Sequence, residues 1–178
     1  DFYRVHPALT IVKVADLDGD GKKEILAGCD NWRVYAFDSK GKELWNYEVV
    51  HPTRAVEVFD LDGDGKKEVL CGTKYYMMSV LDAKGARKWT AHFGPGCRAL
   101  AAPKADGKTF VAAGSDDGNV YFYTPDGKLL AKFVTGDEVR SLVAVPITLK
   151  PCSAKVRAIA RPMPRDAPVT SATCRASL

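Results

Sequence analysis

The chain has 178 residues, 46% of them hydrophobic, and 26 Lys and Arg against 22 Asp and Glu give it a net charge of +4. That length suits one domain with a sizeable core, and no run approaches the roughly 20 apolar residues of a membrane-spanning helix. The positive excess lies in residues 150–178, where six basic residues face one acid, so net charge gives no reason to expect a nucleic-acid partner.

In chain order, the first clear element is TIVKVA at 10–15, which alternates as a strand does. It runs into DLDGDGKKE at 16–24, and the same nine residues return letter for letter at 60–68. Four carboxylates in nine residues repel one another, and a fold tolerates them where a cation sits among them. The plainer alternative is a solvated polar turn, which Asp and Gly favour locally. Acids at the first, third, fifth and ninth loop positions can converge on one point, with glycines between them for a tight backbone path. Calcium suits such a set, because it takes carboxylate and carbonyl oxygens in flexible geometry. The expected ligands are Asp16, Asp18, Asp20 and Glu24 with the Lys22 carbonyl, and then Asp60, Asp62, Asp64 and Glu68 with the Lys66 carbonyl. An EF-hand would need Glu at position 12 and flanking helices. Position 12 is Ala27 or Cys71, and the flanks EILAG and EVLCG read as strands. Each acidic loop therefore joins two strands.

The first unit continues with strands at 24–28, 32–38 and 43–49. The second has strands at 54–59, 68–72, 76–82 and 87–93, and the third at 98–102, 109–113, 119–124 and 128–134. DSKGK, DAKGA and TPDGK mark the turn before each last strand. The units start at Thr10, Arg54, Arg98 and Arg140. Four short strands per ~43 residues, repeated, make a propeller blade. Period-2 alternation excludes helical repeats, and a β-sandwich would not repeat so regularly. The fold class is thus all-β, a partial β-propeller of about three four-stranded blades plus the first strand of a fourth. Its domain spans 1–149, with repeats at about 8–52, 53–96 and 97–139 and a fourth starting at 140. Residues 150–178 hold four Pro and neither Gly nor an aromatic residue. They read as a disordered tail, in which AKVRAIA at 154–160 can form one strand. A start at Asp1 fits a mature product or a piece of a longer chain.

The DLDGDGKKEILAG units resemble calcium-binding propeller repeats of the FG-GAP or integrin alpha-chain type, and FDSKGKELW and LDAKGARKW resemble the outer strands of quinoprotein-type propellers. The likeness spans about residues 8–145. It implies two Ca2+ sites and an extracellular, periplasmic or cell-surface location. The FG…GAP residues themselves are absent. The third unit has Lys104 in place of the first Asp and Phe110 in place of the Glu, and is two loop residues shorter, so no calcium is expected there.

In the resembling propellers, the innermost strands begin on the face opposite the calcium loops. That places Arg54, Arg98 and Arg140 around a funnel, with Trp32, Tyr75 and Tyr76 from the loops between second and third strands. Guanidinium forks bind planar anions and aromatic faces stack on sugars. The competing reading pairs these arginines with acids such as Glu57, Asp137 or Glu138. Trp45 and Trp89 are expected to pack between blades, a quinone cofactor being the weaker option. His6, His51 and His92 read as turn residues near blade junctions. Five cysteines without C-x-x-C spacing read as buried thiols, with disulfides as the alternative.

The expected function is a non-catalytic, calcium-stabilised binding module of a secreted or cell-surface protein. Its ligand would be a glycan, an acidic polysaccharide, or a protein. Its other partners would be the remaining blades of a longer chain or further copies of itself. The alternative is a fragment of a propeller enzyme, such as a polysaccharide lyase or a quinoprotein-like oxidoreductase.

Overall fold

The computed structural model describes residues 8–105, 107–144 and the backbone of 156–160. All regular structure among them is β-strand, and no helix is long and apolar enough to cross a membrane. Three antiparallel four-stranded sheets follow one another along the chain. Blade 1 holds β1 (Leu9–Ala15), β2 (Glu24–Cys29), β3 (Arg33–Phe37) and β4 (Glu43–Glu48). Blade 2 holds β5 (Thr53–Phe59), β6 (Glu68–Thr73), β7 (Met77–Leu81) and β8 (Arg87–His92). Blade 3 holds β9 (Cys97–Ala101), β12 (Val111–Ser115), β13 (Asn119–Tyr123) and β14 (Leu129–Val134). A fourth sheet pairs β15 (Val139–Ala144) with β16 (Val156–Ala160). Strand β16 falls within AKVRAIA. The rest of the tail expected to be disordered, 150–155 and 161–178, lies outside the described residues.

Most strand ends fall within one residue of the sequence reading, and one strand is displaced further. The second strand of blade 3 runs from Val111 to Ser115 and not from 109, because the shortened loop folds into a miniature hairpin of β10 (Lys104–Ala105) and β11 (Lys108–Thr109). Phe110 N–H closes it on the Pro103 carbonyl at 2.9 Å. Backbone pairing fixes this loop, which lacks the carboxylates of the other two.

The innermost strands β1, β5, β9 and β15 lie side by side, and the core fills the gaps between blades. Alternation along the middle strands sends neighbouring residues to opposite gaps. Val69 and Cys71 join Leu26, Val34 and Val56 between blades 1 and 2, while Leu70 joins Met78, Leu100 and Val111 between blades 2 and 3. Both faces of a middle strand are thereby dry, and β6 is buried along its length. The second strand of each blade carries a glycine where the next innermost strand begins. A Cβ on Gly28, Gly72 or Gly114 would lie within 2.8 Å of Thr53, Cys97 or Val139.

Two tryptophans lock successive blades together. Trp45 donates its indole N–H to the Ala83 carbonyl at 3.0 Å, and Trp89 donates to the Pro125 carbonyl at 2.7 Å. Their rings cover Gly85 and Gly127, where a Cβ would come within 2.7 Å. Both glycines have positive φ, 81° and 90°, so the turn and the tryptophan select glycine independently. Cys29, Cys71 and Cys97 are free and buried; Cys152 and Cys174 lie outside the described residues. Burial pushes the Cys71 thiol up to about 12, which keeps it protonated and inert.

Candidate functional site

The two acidic loops share one internal hydrogen-bond scheme. Asp16 accepts the N–H groups of Gly19 and Gly21, and Asp60 those of Gly63 and Gly65. Glu24 accepts from Leu17 N–H at 2.8 Å and Glu68 from Leu61 N–H at 2.9 Å. Leu17 and Leu61 are buried in successive inter-blade cores, so each loop is pinned at its second and last residues. The glycines at positions 4 and 6 all have φ between 81° and 86°, a path costly for L side chains.

Carboxylate oxygens of Asp16, Asp18 and Glu24 lie within 4.8 Å of one another in the first loop, and those of Asp60, Asp62 and Asp64 in the second. Every donor is a hard oxygen, which suits calcium. The two sets differ from each other and from the set expected from the sequence. Asp20 turns to Lys22, accepting both its backbone N–H and its ammonium at 2.7 Å, and this bond holds its carboxyl below the usual range. In the second loop Glu68 is the one drawn away. The Lys88 ammonium lies 2.8 Å from Glu68 Oε1 and 3.0 Å from Asp62 Oδ2. Lys88 hydrogen-bonds Asp62 and lowers its carboxyl. Partial burial opposes the charge of Lys88, yet its two carboxylates leave it raised.

On the opposite ends of the strands, Trp32, Tyr75 and Tyr76 come together around His51. The His51 ring centroid is 6.2 Å from Trp32, 5.5 Å from Tyr75 and 6.3 Å from Tyr76. The Lys74 ammonium lies 5.3 Å from the Tyr75 ring. Trp32 and Tyr76 are repeat-equivalent and both have positive φ, 66° and 59°. The third equivalent is Gly118, with φ 73°. The turn thus asks for glycine, and two blades place a large aromatic there instead, 41% and 60% exposed.

The three arginines each sit at a register shift that opens an innermost strand, between Thr53 and Ala55, opposite Gly114 and Ser115, and between Val139 and Ser141. Such bulges re-aim a side chain. They do not converge as one free cluster. Arg98 Nε donates to Asp116 at 2.5 Å, and Arg54 Nη1 lies 3.5 Å from the other oxygen of the same carboxylate. Arg140 pairs with Glu138 at 3.0 Å. Glu57 pairs instead with Lys13, at 2.7 Å. Arg98, Arg140 and Glu57 line a cleft of about 150 Å³ between the innermost strands.

Three residues escaped the sequence reading. His51, taken as a turn residue, is the hub of the aromatic group. Asp116 is the carboxylate shared by two arginines. Lys88 carried a visible signal, since its equivalents in the other blades are Leu44 and Leu130.

Two family models match the chain, FG-GAP-like repeat over residues 16–71 and λ-carrageenase β-propeller domain over 53–138. No curated protein sequence matches it. Among solved structures it is similar to BBS1N in complex with ARL6DN at TM-score 0.68 and 8% identity, covering 86% of this chain and 51% of that one. The Vibrio cholerae biofilm matrix protein Bap1 aligns at TM-score 0.58 and 18% identity, over 72% of this chain and 21% of its own. The computationally designed protein Ika4 aligns at TM-score 0.64 and 18% identity, over 86% of both chains. The chain thus spans about half of BBS1N and about a fifth of Bap1. It is a stretch of β-propeller that contains an FG-GAP-like repeat match over residues 16–71.

Proposed function

We propose that this chain is the calcium-stabilised propeller module of a secreted or cell-surface protein, and that it binds a carbohydrate, an acidic polysaccharide in the first instance. The ligand face is the one carrying Trp32, His51, Tyr75 and Tyr76. The observation that carries this reading is the left-handed backbone of Trp32 and Tyr76 at a turn where blade 3 uses Gly118. Holding a bulky residue there costs about 1–2 kcal/mol, and such strain collects at ligand sites. Exposed aromatic rings give sugar rings flat apolar faces, and the arginines beyond them supply positive charge. A protein ligand on the same aromatic face is the other occupant this surface suits.

Calcium would be held by Asp16, Asp18 and Glu24 and by Asp60, Asp62 and Asp64, with a structural role. It neutralises carboxylates that otherwise repel and fixes the turn between the first two strands of a blade. In an extracellular setting the affinity expected of these loops is that of extracellular modules, on the order of 10⁻⁴–10⁻³ M. The likeness to a biofilm matrix protein agrees with it, and the three described thiols are buried away from oxidants.

The remaining partner is whatever covers blade 1. Val12 is 47% exposed, whereas its equivalent in the next blade, Val56, is 1% exposed because blade 1 packs on it. Further blades of a longer chain, or a second copy, would cover Val12 in the same way. The match to the λ-carrageenase propeller domain favours one second reading, in which this propeller accompanies a polysaccharide-degrading enzyme.

Isothermal titration with polygalacturonate and with a neutral glucan, in calcium buffer, tests the ligand. Binding of the acidic polymer alone, weakened by salt and by Trp32→Gly, is expected. Equal responses to both polymers, or a Trp32→Gly chain that binds normally, would overturn it.

A further inference from the structure

The two acidic loops are identical in sequence from first residue to last, yet one residue of the outer strand beside them makes their surroundings unequal. On β8, Lys88 reaches across to the second loop and sets its ammonium between Glu68 and Asp62. The equivalent position on β4 is Leu44, and on β14 it is Leu130; both are about half exposed. Packing therefore does not impose leucine there, and lysine occurs only in a blade that has an acidic loop to meet. Glu68 is almost wholly buried, its side chain 4% exposed. A buried carboxylate without a countercharge is costly, and Lys88 supplies that charge. The first loop's ammonium, Lys22, instead pairs with the exposed Asp20 and acts on Glu24 only at longer range; among the described residues no cationic side chain makes an ion pair with Glu24, itself only 8% exposed.

We infer that Lys88 is a built-in cation that occupies part of the second loop's coordination shell, so that the first loop takes calcium and the second takes it only when Lys88 is displaced. This rests on the calcium reading given above. The ammonium takes up one oxygen of Asp62, a member of the gathered set, and holds the Glu68 carboxylate that would otherwise complete it, and it is covalently tethered. An incoming ion must break two charge-assisted hydrogen bonds to replace it. Contact between the loops supplies a physical advantage. Lys67 N–H donates to the Leu17 carbonyl at 2.9 Å, and a Cβ on Gly19 would lie 3.3 Å from the Gly65 carbonyl. Two dications in touching loops repel each other, and a single ammonium in one of them lessens that repulsion. Lys88 is in this sense the residue that sets the stoichiometry.

Calcium titration by calorimetry on the whole chain tests this, in wild type, Lys88→Leu and Leu44→Lys. Wild type should take one ion with its second at least about tenfold weaker, as two charged hydrogen bonds imply. Asp18→Ala should remove the tighter event and Asp62→Ala should leave it. Lys88→Leu should bind two ions of comparable affinity, and Leu44→Lys should lose the tighter one. Lys88→Gln is the alternative if the leucine variant does not fold, and it should also gain the second ion. Two equal sites in wild type, unchanged in both Lys88 variants, would overturn the inference and leave the calcium reading standing. No uptake by any of the chains would overturn both.

Discussion

The backbone N–H of Lys67 donates to the carbonyl of Leu17 at 2.9 Å, joining the acidic loop of blade 2 to that of blade 1. Leu17 is 1% exposed and packs in the core between those blades. Rigidity gained by the first loop is therefore passed directly into the inter-blade contact. Calcium at one hundred times its dissociation constant should stabilise the chain by about 2.7 kcal/mol, or roughly 5–10 °C in melting temperature for a chain of this size. Differential scanning calorimetry with and without calcium reads this. Asp18→Ala should abolish most of the shift, and a full shift in that variant would show that the first loop is not its source.

Replacing Trp32 or Tyr76 by glycine relieves a left-handed backbone at the expense of chain entropy in the unfolded state. Each variant should keep its stability within about 1 kcal/mol of wild type while losing affinity for the acidic polymer. Denaturant melts and binding titrations on the same samples separate the two effects. A loss of more than about 2 kcal/mol would make these rings structural.

The Trp45 ring spans from β4 to the 82–86 turn of blade 2 and hydrogen-bonds Ala83. Trp45→Ala should cost about 3 kcal/mol. Gly85→Ala, which both forces a positive φ and drives a Cβ to 2.6 Å from the indole, should cost about 2 kcal/mol or more. Near-additive losses in the double variant would show that the two residues do not form one contact.

Asp116 holds Arg54 and Arg98 together. Asp116→Asn should free both guanidinium groups, raising affinity for polygalacturonate severalfold and steepening its salt dependence. Arg98→Ala should lower that affinity. If neither substitution changes binding, these arginines serve only the packing of blades 2 and 3.

Val12 and Val56 occupy the same place in successive blades, one bare and one covered. The isolated chain should self-associate through blade 1, detectable by sedimentation velocity, and Val12→Glu should shift it to monomer without unfolding it. Val56→Glu should instead unfold it, since it buries an unpaired charge. A wild-type chain that stays monomeric at high concentration would count against an uncovered blade face.

Local chemistry made the repeats legible. Alternating β-branched residues, the D-x-K-G type turns and the duplicated DLDGDGKKE gave strands, blade period and acidic loops, because each depends on residues within a few positions of one another. Strand ends agree with the structure to within one or two residues, even at β1 and β8. One exception was local: the Asp-Gly pair in PKADGKTF is a hairpin signal, which the alignment with the two acidic loops masked. The others depended on long-range contact: nothing local to Asp116 says that it bridges arginines from two blades, and His51 looks like any histidine before a proline. The two acidic loops are the clearest case. Their sequence determined that carboxylates would gather on a tight glycine turn, since that geometry is written into nine consecutive residues. Only the tertiary structure decided that the loops are unequal, because β8 brings an ammonium 20 residues away onto Glu68 where β4 brings only Leu44. Electrostatic neutralisation acts through space, and a side chain's neighbours across a sheet are fixed by the fold and not by its neighbours in the chain.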